Sequence, residues 1–191
     1  MRYNTYVTSD WHLGHRLMDD HLDKVTRALI PGMRPKGWTE LLLSNYRSQV
    51  EPHDTVYFLG DMVLRWGAEG RMWWDTIKQL PGRKILLRGN HDKGGLAKLQ
   101  ALGGFEQVWG EWHPYRQRCT GQDLLLSHVP KVPSPQFSAW RQRVQDEFVR
   151  GGYIANLHGH THAHMTSDPA CINVCVEVQD YALMLMDTEE R

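Results

Sequence analysis

Near the end of the chain stands "NLHGHTHAHM", with His158, His160, His162 and His164 at every second position. On one straight strand all four imidazoles would point to the same side, which is a metal-binding arrangement. Four other stretches carry similar chemistry: Asp10 with His12 in "SDWH", Asp61 in "GD", Asn90, His91 and Asp92 in "GNHD", and His128 in "SHVP". Carboxylate, amide oxygen and imidazole suit first-row divalent ions, and no cysteine accompanies them as a structural zinc knot would require. Asp10, His12, Asp61, Asn90, His128 and two histidines of the last run make seven ligands. Seven is too many for one transition ion with an open position, and fits two ions sharing a carboxylate.

Each of these clusters follows an apolar stretch. Residues 3–8 and the β-branched and aromatic 55–59 read as strands, as does "KILL" at 84–87. Residues 39–50, with Thr39 as N-cap, 68–80 and 96–102 read as helices. A hairpin is expected from 112–119 and 124–127, then an exposed helix at 138–150 and a strand at 153–157 leading into the histidine run. Strands are also expected at 171–178 and 182–186. Alternating strands and helices followed by clustered strands indicate one layered α/β domain over 1–191. In such domains, sites assemble beyond the carboxyl ends of strands.

Composition narrows the partners. Lys+Arg and Asp+Glu are 22 each in 191 residues, so the formal charge is zero and long duplex nucleic acid is not an expected partner. Bound metal would still attract a small anion. Three cysteines, Cys119, Cys171 and Cys175, lack framework spacing and read as reduced, small buried side chains of a cytoplasmic protein. Cys171 and Cys175 would share a strand face. No stretch has the length and apolarity of a membrane span, and the N-terminus lacks a signal-peptide core.

Taken in order, "SDWH", "GD", "GNHD", "SHVP" and "GHTH" resemble the calcineurin-like metallophosphoesterase family over essentially the whole chain. The resemblance implies a four-layer α/β/β/α sandwich, two facing mixed sheets flanked by helices. It also implies two divalent ions, manganese first among iron, zinc, cobalt and nickel. Asp10, His12 and His162 are assigned to one ion and Asn90, His128 and His160 to the other, with Asp61 bridging. Two such ions about 3.5–4 Å apart acidify a shared water, and the bridging hydroxide attacks phosphorus in line with the leaving oxygen. Asn90 would meet charge on the phosphoryl oxygens. His91 is free to protonate the leaving alkoxide, with Asp92 fixing its tautomer and raising its pKa.

"GDMVLRWG" and "GNHD" depart from the GDxVDRG and GNHE of protein phosphatases. The chain is similar instead to the compact branch found in bacteria and phages. The expected substrate is a small nucleotide-like phosphodiester or phosphomonoester, with 2′,3′-cyclic nucleotides a candidate. A nuclease on short or single-stranded nucleic acid and a catalytically silent scaffold are the alternatives. His15, Arg65, Arg88 and His164 are candidate substrate contacts, His164 equally a turn cap. Gly159 is expected to let the chain leave strand geometry so that His160 and His162 serve different ions. His158 would support a ligand carboxylate from behind.

Overall fold

The computed structural model describes residues 1–22, 26, 28–64 and 67–190. Strand β1 (Arg2–Thr8) is followed by a short antiparallel pair, β2 (His21–Leu22) and β3 (Leu29–Ile30), and by α1 (Trp38–Gln49). Then come β4 (Thr55–Phe58), α2 (Gly67–Gln79), β5 (Arg83–Leu87), α3 (Leu96–Gly103) and β6 (Gln107–Trp109). The remainder is β7 (Trp112–Arg116), β8 (Asp123–Ser127), α4 (Ser138–Gly151), β9 (Ala155–His158), β10 (Cys171–Asn173) and β11 (Met184–Glu190).

Two mixed sheets form, ordered β11-β1-β4-β5-β6 and β10-β9-β8-β7. In the first, only β11 runs antiparallel to its neighbour, and in the second only β7 does. Period-two alternation sorts the side chains of each strand into layers. Tyr6, Val56, Phe58 and Leu86 face α1 to α3 and pack with Trp38, Leu42, Trp74, Ile77 and Leu99. Their neighbours Val7, Tyr57, Leu59, Ile85 and Leu87 meet Leu124, Leu126, Ala155 and Leu157 between the sheets. Leu125, on the far face of β8, packs against Val144 of α4. The result is the expected four-layer sandwich, in which each fully buried aliphatic side chain contributes about 1.5–3 kcal/mol.

Register carries this order to the site. Thr8 pairs with Phe58 and Phe58 with Leu86, so three parallel strands end side by side. Ser127 pairs with His158 in the other sheet. An isolated parallel bridge between Ser9 and Cys175 joins the segments that follow β1 and β10 at the same edge.

Several boundaries differ from those read in the sequence. Helix α1 begins at Trp38, with Gly37 at φ 80° as its N-cap, so Thr39 is not the cap. The buried Trp38 ring sets that start: its indole N–H donates to Asp19 and Arg34 lies 4.4 Å from the ring centroid. Helix α4 is not simply exposed, because it buries Arg141, Val144 and Glu147. Strand β10 stops at Asn173, whose side-chain oxygen accepts from the Cys175 N–H and starts a turn. Cys171 and Cys175 therefore share no strand face, although both are buried, and Cys119 is exposed. The last strand begins at Met184, two residues later than expected, and β6 and the β2–β3 pair carried no clear sequence signal.

Candidate metal centre

Asp10 and His12 follow β1, Asp61 follows β4, Asn90 and His91 follow β5, His128 follows β8, and His160 and His162 follow β9. One backbone state recurs among them. Of eight non-glycine residues with positive φ among the described residues, five are Asp10, His12, Asp61, His160 and His162. Their φ values, 49° to 71°, are left-handed, a conformation that β-carbon sterics disfavour and that gathers at functional sites. It bends each chain sharply off its strand and turns the side chain inward over the sheet edge. Gly60 and Gly89 let two of these bends touch. A β-carbon on Gly60 would stand 2.4 Å from the Gly89 nitrogen, and one on Gly89 2.1 Å from Asp61 Oδ1.

The side chains converge in two groups, Asp10 with His12 and His162, and Asp10 with Asp61 and His128, each with ligand atoms within 4.8 Å of one another. Asn90 and His160 complete the second half. His128 commits its Nδ1–H to the Leu59 carbonyl at 2.8 Å, so in the neutral ring the Nε2 lone pair faces Asn90 Oδ1 at 2.8 Å. His160 Nδ1 lies 2.9 Å from the same oxygen, and Asp61 Oδ2 is 3.5 Å from His128 Nε2. Two ring nitrogens thus converge on one amide oxygen, and with His128 neutral an acceptor meets an acceptor there. On the other side, buried Asp10 Oδ1 and both ring nitrogens of His12 have no hydrogen-bond partner, and Asp10 Oδ1 faces His12 Nε2 at 3.4 Å. Buried polar atoms are normally paired, so this concentration of unmet lone pairs is the environment a cation satisfies. The donor set fits two borderline divalent ions.

Titration follows the same geometry. Burial works to raise the Asp10 carboxyl, but His12 and His128 hold it well below the usual carboxylate range. Burial, then His128, pushes His160 down to about 3, leaving a neutral ring that can offer a lone pair. His128 is raised, with burial opposing and Asp61 and Asp10 prevailing. A hydrogen bond to Glu177 raises His162.

Two expectations about the "GNHD" motif change. Asp92 does not orient His91. Its Oδ2 accepts from the Asp61 and Gly89 N–H groups at 2.8 and 2.9 Å and its Oδ1 from the Met62 N–H at 3.1 Å. Both oxygens are committed to backbone, so Asp92 ties the β4 loop to the β5 loop. His91 is lowered rather than raised, because burial outweighs Asp61. Its N–H donates to Asp61 Oδ1 at 2.7 Å, and its half-exposed ring places Nε2 4.0 Å from Asp61 Oδ2.

The histidine run also differs. Gly159 has no positive φ; His160 and His162 bear it themselves. Glycine is required at 159 for space, since a β-carbon would lie 2.0 Å from Ser9 Oγ and 2.3 Å from Asp10 Oδ2. His158 touches no ligand carboxylate: its Nδ1 contacts the Gly159 carbonyl at 2.9 Å, and burial pushes it down to about 4. His164 is exposed, with its N–H donating to the Thr161 carbonyl and its own carbonyl accepting from Asn173. His15 stands half-buried at the rim, 5.9 Å from the His12 ring. Arg88 is exposed beyond β5, its N–H donating to the Trp109 carbonyl. Arg65 lies outside the described residues.

A supporting set had no sequence signal. Glu177 accepts from His162 Nδ1 at 2.8 Å and from Arg34 at 2.6 and 3.0 Å. Buried Arg34 also donates to the carbonyls of Asp10 and Trp11. Ser9 Oγ, the His160 N–H and Cys175 Sγ all donate to Asp10 Oδ2, aiming Oδ1 at the cluster. A carboxylate behind a histidine fixes its tautomer and raises its basicity as a ligand.

The sandwich carries, at one edge, an acidic and histidine-rich cluster whose residues could hold metal ions. The chain is 26% identical over 190 residues to an uncharacterized protein of Methanocaldococcus jannaschii, covering 95% of this chain and 86% of that one. It is 30% identical over 184 residues to the Gene 66 protein of Mycobacterium phage L5, covering 85% and 79% respectively. The crystal structure of a protein of unknown function from Aquifex aeolicus superposes with a TM-score of 0.74 at 25% identity, covering 96% of this chain and 95% of that chain. Residues 3–164 match the calcineurin-like phosphoesterases, and the chain belongs to that family.

Proposed function

We propose that this protein hydrolyses small nucleotide-like phosphodiesters, 2′,3′-cyclic nucleotides among them, with two divalent ions, manganese first. The observation that carries the reading is the convergence of His128 Nε2 and His160 Nδ1 on Asn90 Oδ1, at 2.8 and 2.9 Å, beside the unpaired Asp10 Oδ1 and His12 ring nitrogens. Asp10, His12 and His162 would hold one ion, Asn90, His128 and His160 the other, and Asp61 both. Ions bound there acidify water and neutralise charge on phosphoryl oxygens.

The chain's own groups do the rest. Asp92 holds the β4 and β5 loops together, and with them the spacing between Asp61 and Asn90. The Asn90 amide keeps its NH2 group for a phosphoryl oxygen, because its Oδ1 faces the two imidazoles. His91, half-exposed at the mouth, supplies the proton the leaving alkoxide needs.

The test is a screen of metal-reconstituted protein against mono-, di- and cyclic phosphoesters, with bound metal measured on the same samples. Turnover of diesters at close to two ions per chain supports the proposal. Activity on para-nitrophenyl phosphate alone would make the protein a phosphomonoesterase. No turnover with any divalent ion would leave a metal-binding scaffold.

A further inference from the structure

Beyond the five ligand candidates, the non-glycine residues with positive φ among the described residues are Phe137, Asp180 and Tyr181. Phe137, at φ 55° and ψ 32°, is the one whose ring meets a candidate ligand. For a bulky residue this conformation is a strained outlier, and glycine would adopt it freely.

Ordinary reasons for a phenylalanine do not apply at this position. It is 41% exposed, so it is not a core residue. It stands at the N-cap of α4 without a side-chain cap bond, a place that favours serine, threonine, aspartate or asparagine. Its carbonyl accepts the Arg141 N–H at 2.9 Å, a bond that any residue could make. What the strained backbone achieves is the ring's position. The ring centroid lies 4.8 Å from His160 at 88° and 6.3 Å from Trp140 at 84°, and Trp140 is tilted over His128 at 5.8 Å. An exposed aromatic is thus propped on the His160 imidazole, with Trp140 between it and His128.

We infer that Phe137 is a stacking residue that selects phosphoesters carrying a flat aromatic group, a nucleobase or an aryl ester, at the His160 side of the centre. The inference rests on the phosphoesterase reading above. The charged ester goes to the polar cluster while the flat group lies on the ring beside it. Stacking tolerates any base because every base has a π-face, so selection falls between aromatic and aliphatic esters rather than between bases.

Five-membered cyclic phosphates test this without changing the reacting bond. Wild type is compared with Phe137→Ala and Phe137→Trp on 2′,3′-cyclic AMP, 2′,3′-cyclic CMP and glycerol 1,2-cyclic phosphate. The ratio of kcat/KM for either nucleotide to that for the glycerol ester should fall about tenfold in Phe137→Ala, mainly through KM, and be retained in Phe137→Trp. Turnover of bis-p-nitrophenyl phosphate should fall in Phe137→Ala along with the nucleotides, and an unchanged rate would overturn the selection of aryl esters. Equal losses on nucleotide and glycerol esters would overturn the inference, making Phe137 a prop for His160 alone. If wild type turns over no ester, the hydrolase reading falls, and calorimetry of AMP against methyl phosphate still decides the stacking. Tighter AMP binding that Phe137→Ala abolishes would uphold it, and no difference would end it. Phe137→Gly should melt a few degrees above Phe137→Ala, and the reverse order would remove the held-backbone premise.

Discussion

The two edges of the sandwich are both polar, and they are built in opposite ways. At the amino ends of β1, β4 and β5 lies a cleft of about 450 Å³ lined by tyrosines and charged groups. There the charges are matched: Arg83 with Glu106, Arg118 with Glu189, and Asp187 with the Tyr115 hydroxyl at 2.8 Å and the Arg118 N–H at 2.7 Å. None of its lining residues has positive φ. At the carboxyl ends, Asp10 Oδ1 and both His12 ring nitrogens lack a hydrogen-bond partner, and five candidate ligands hold left-handed backbone. Polarity marks both edges. Unmet electrostatic demand marks the candidate centre.

Exchanging one carboxylate at each edge should separate the two most sharply. Asp61→Asn is expected to lower phosphodiester turnover by roughly a thousandfold or more and to reduce bound metal, since it removes the charge shared by both halves. Asp187→Asn should leave turnover within about twofold, because Asp187 serves the fold. Comparable activity in both variants would show that the carboxyl edge is not the reactive one.

Within the candidate centre, His91→Asn should retain its metal yet lose roughly 10²–10⁴-fold in kcat on esters with alkoxide leaving groups. Full activity at full metal content would remove His91 from proton transfer. Glu177→Gln leaves every ligand in place and should weaken metal affinity about 10–100-fold in a competitive chelator titration. Unaltered affinity would mean that the Arg34–Glu177 pair serves packing alone.

The smallest effect concerns acid stability at the far edge. Burial works to raise the Asp187 carboxyl, but hydrogen bonds from Cys119, the Arg118 N–H and Tyr115 lower it overall. A lowered folded pKa gives stability that is present above the unfolded value, near 4, and lost as pH falls through the folded one. Asp187→Asn should therefore cost about 1–3 kcal/mol at pH 7 and flatten the loss of stability in acid. Denaturant titrations across that range check it, and parallel curves would assign the acid limb to other carboxylates.

Much of this arrangement was legible from residue types alone. Strands betrayed themselves by β-branched and aromatic runs, and five of them led into a residue suited to metal. What escaped depends on contacts between distant segments. Arg34 and Glu177 meet across 143 positions, and neither stands in a pattern that announces the other. Asp92 looked like the natural partner of His91 because they are adjacent, but its carboxylate turns to backbone N–H groups of another loop. Gly159 was read for conformational freedom when the need was room for Ser9 and Asp10, a steric fact that only tertiary packing creates. Helix α1 started early because Trp38 is anchored by Asp19, which local propensity does not encode.

The Asp92 carboxylate has one more consequence. The N–H groups of Asp61, Met62 and Gly89 point into one small concavity, the kind of backbone nest that attracts phosphate. A side chain of the protein itself occupies that nest. Three backbone donors that could otherwise serve an outside anion are thereby spent inside the fold. At Asp92 the chain carries its own anion, so those donors are satisfied before any outside one arrives.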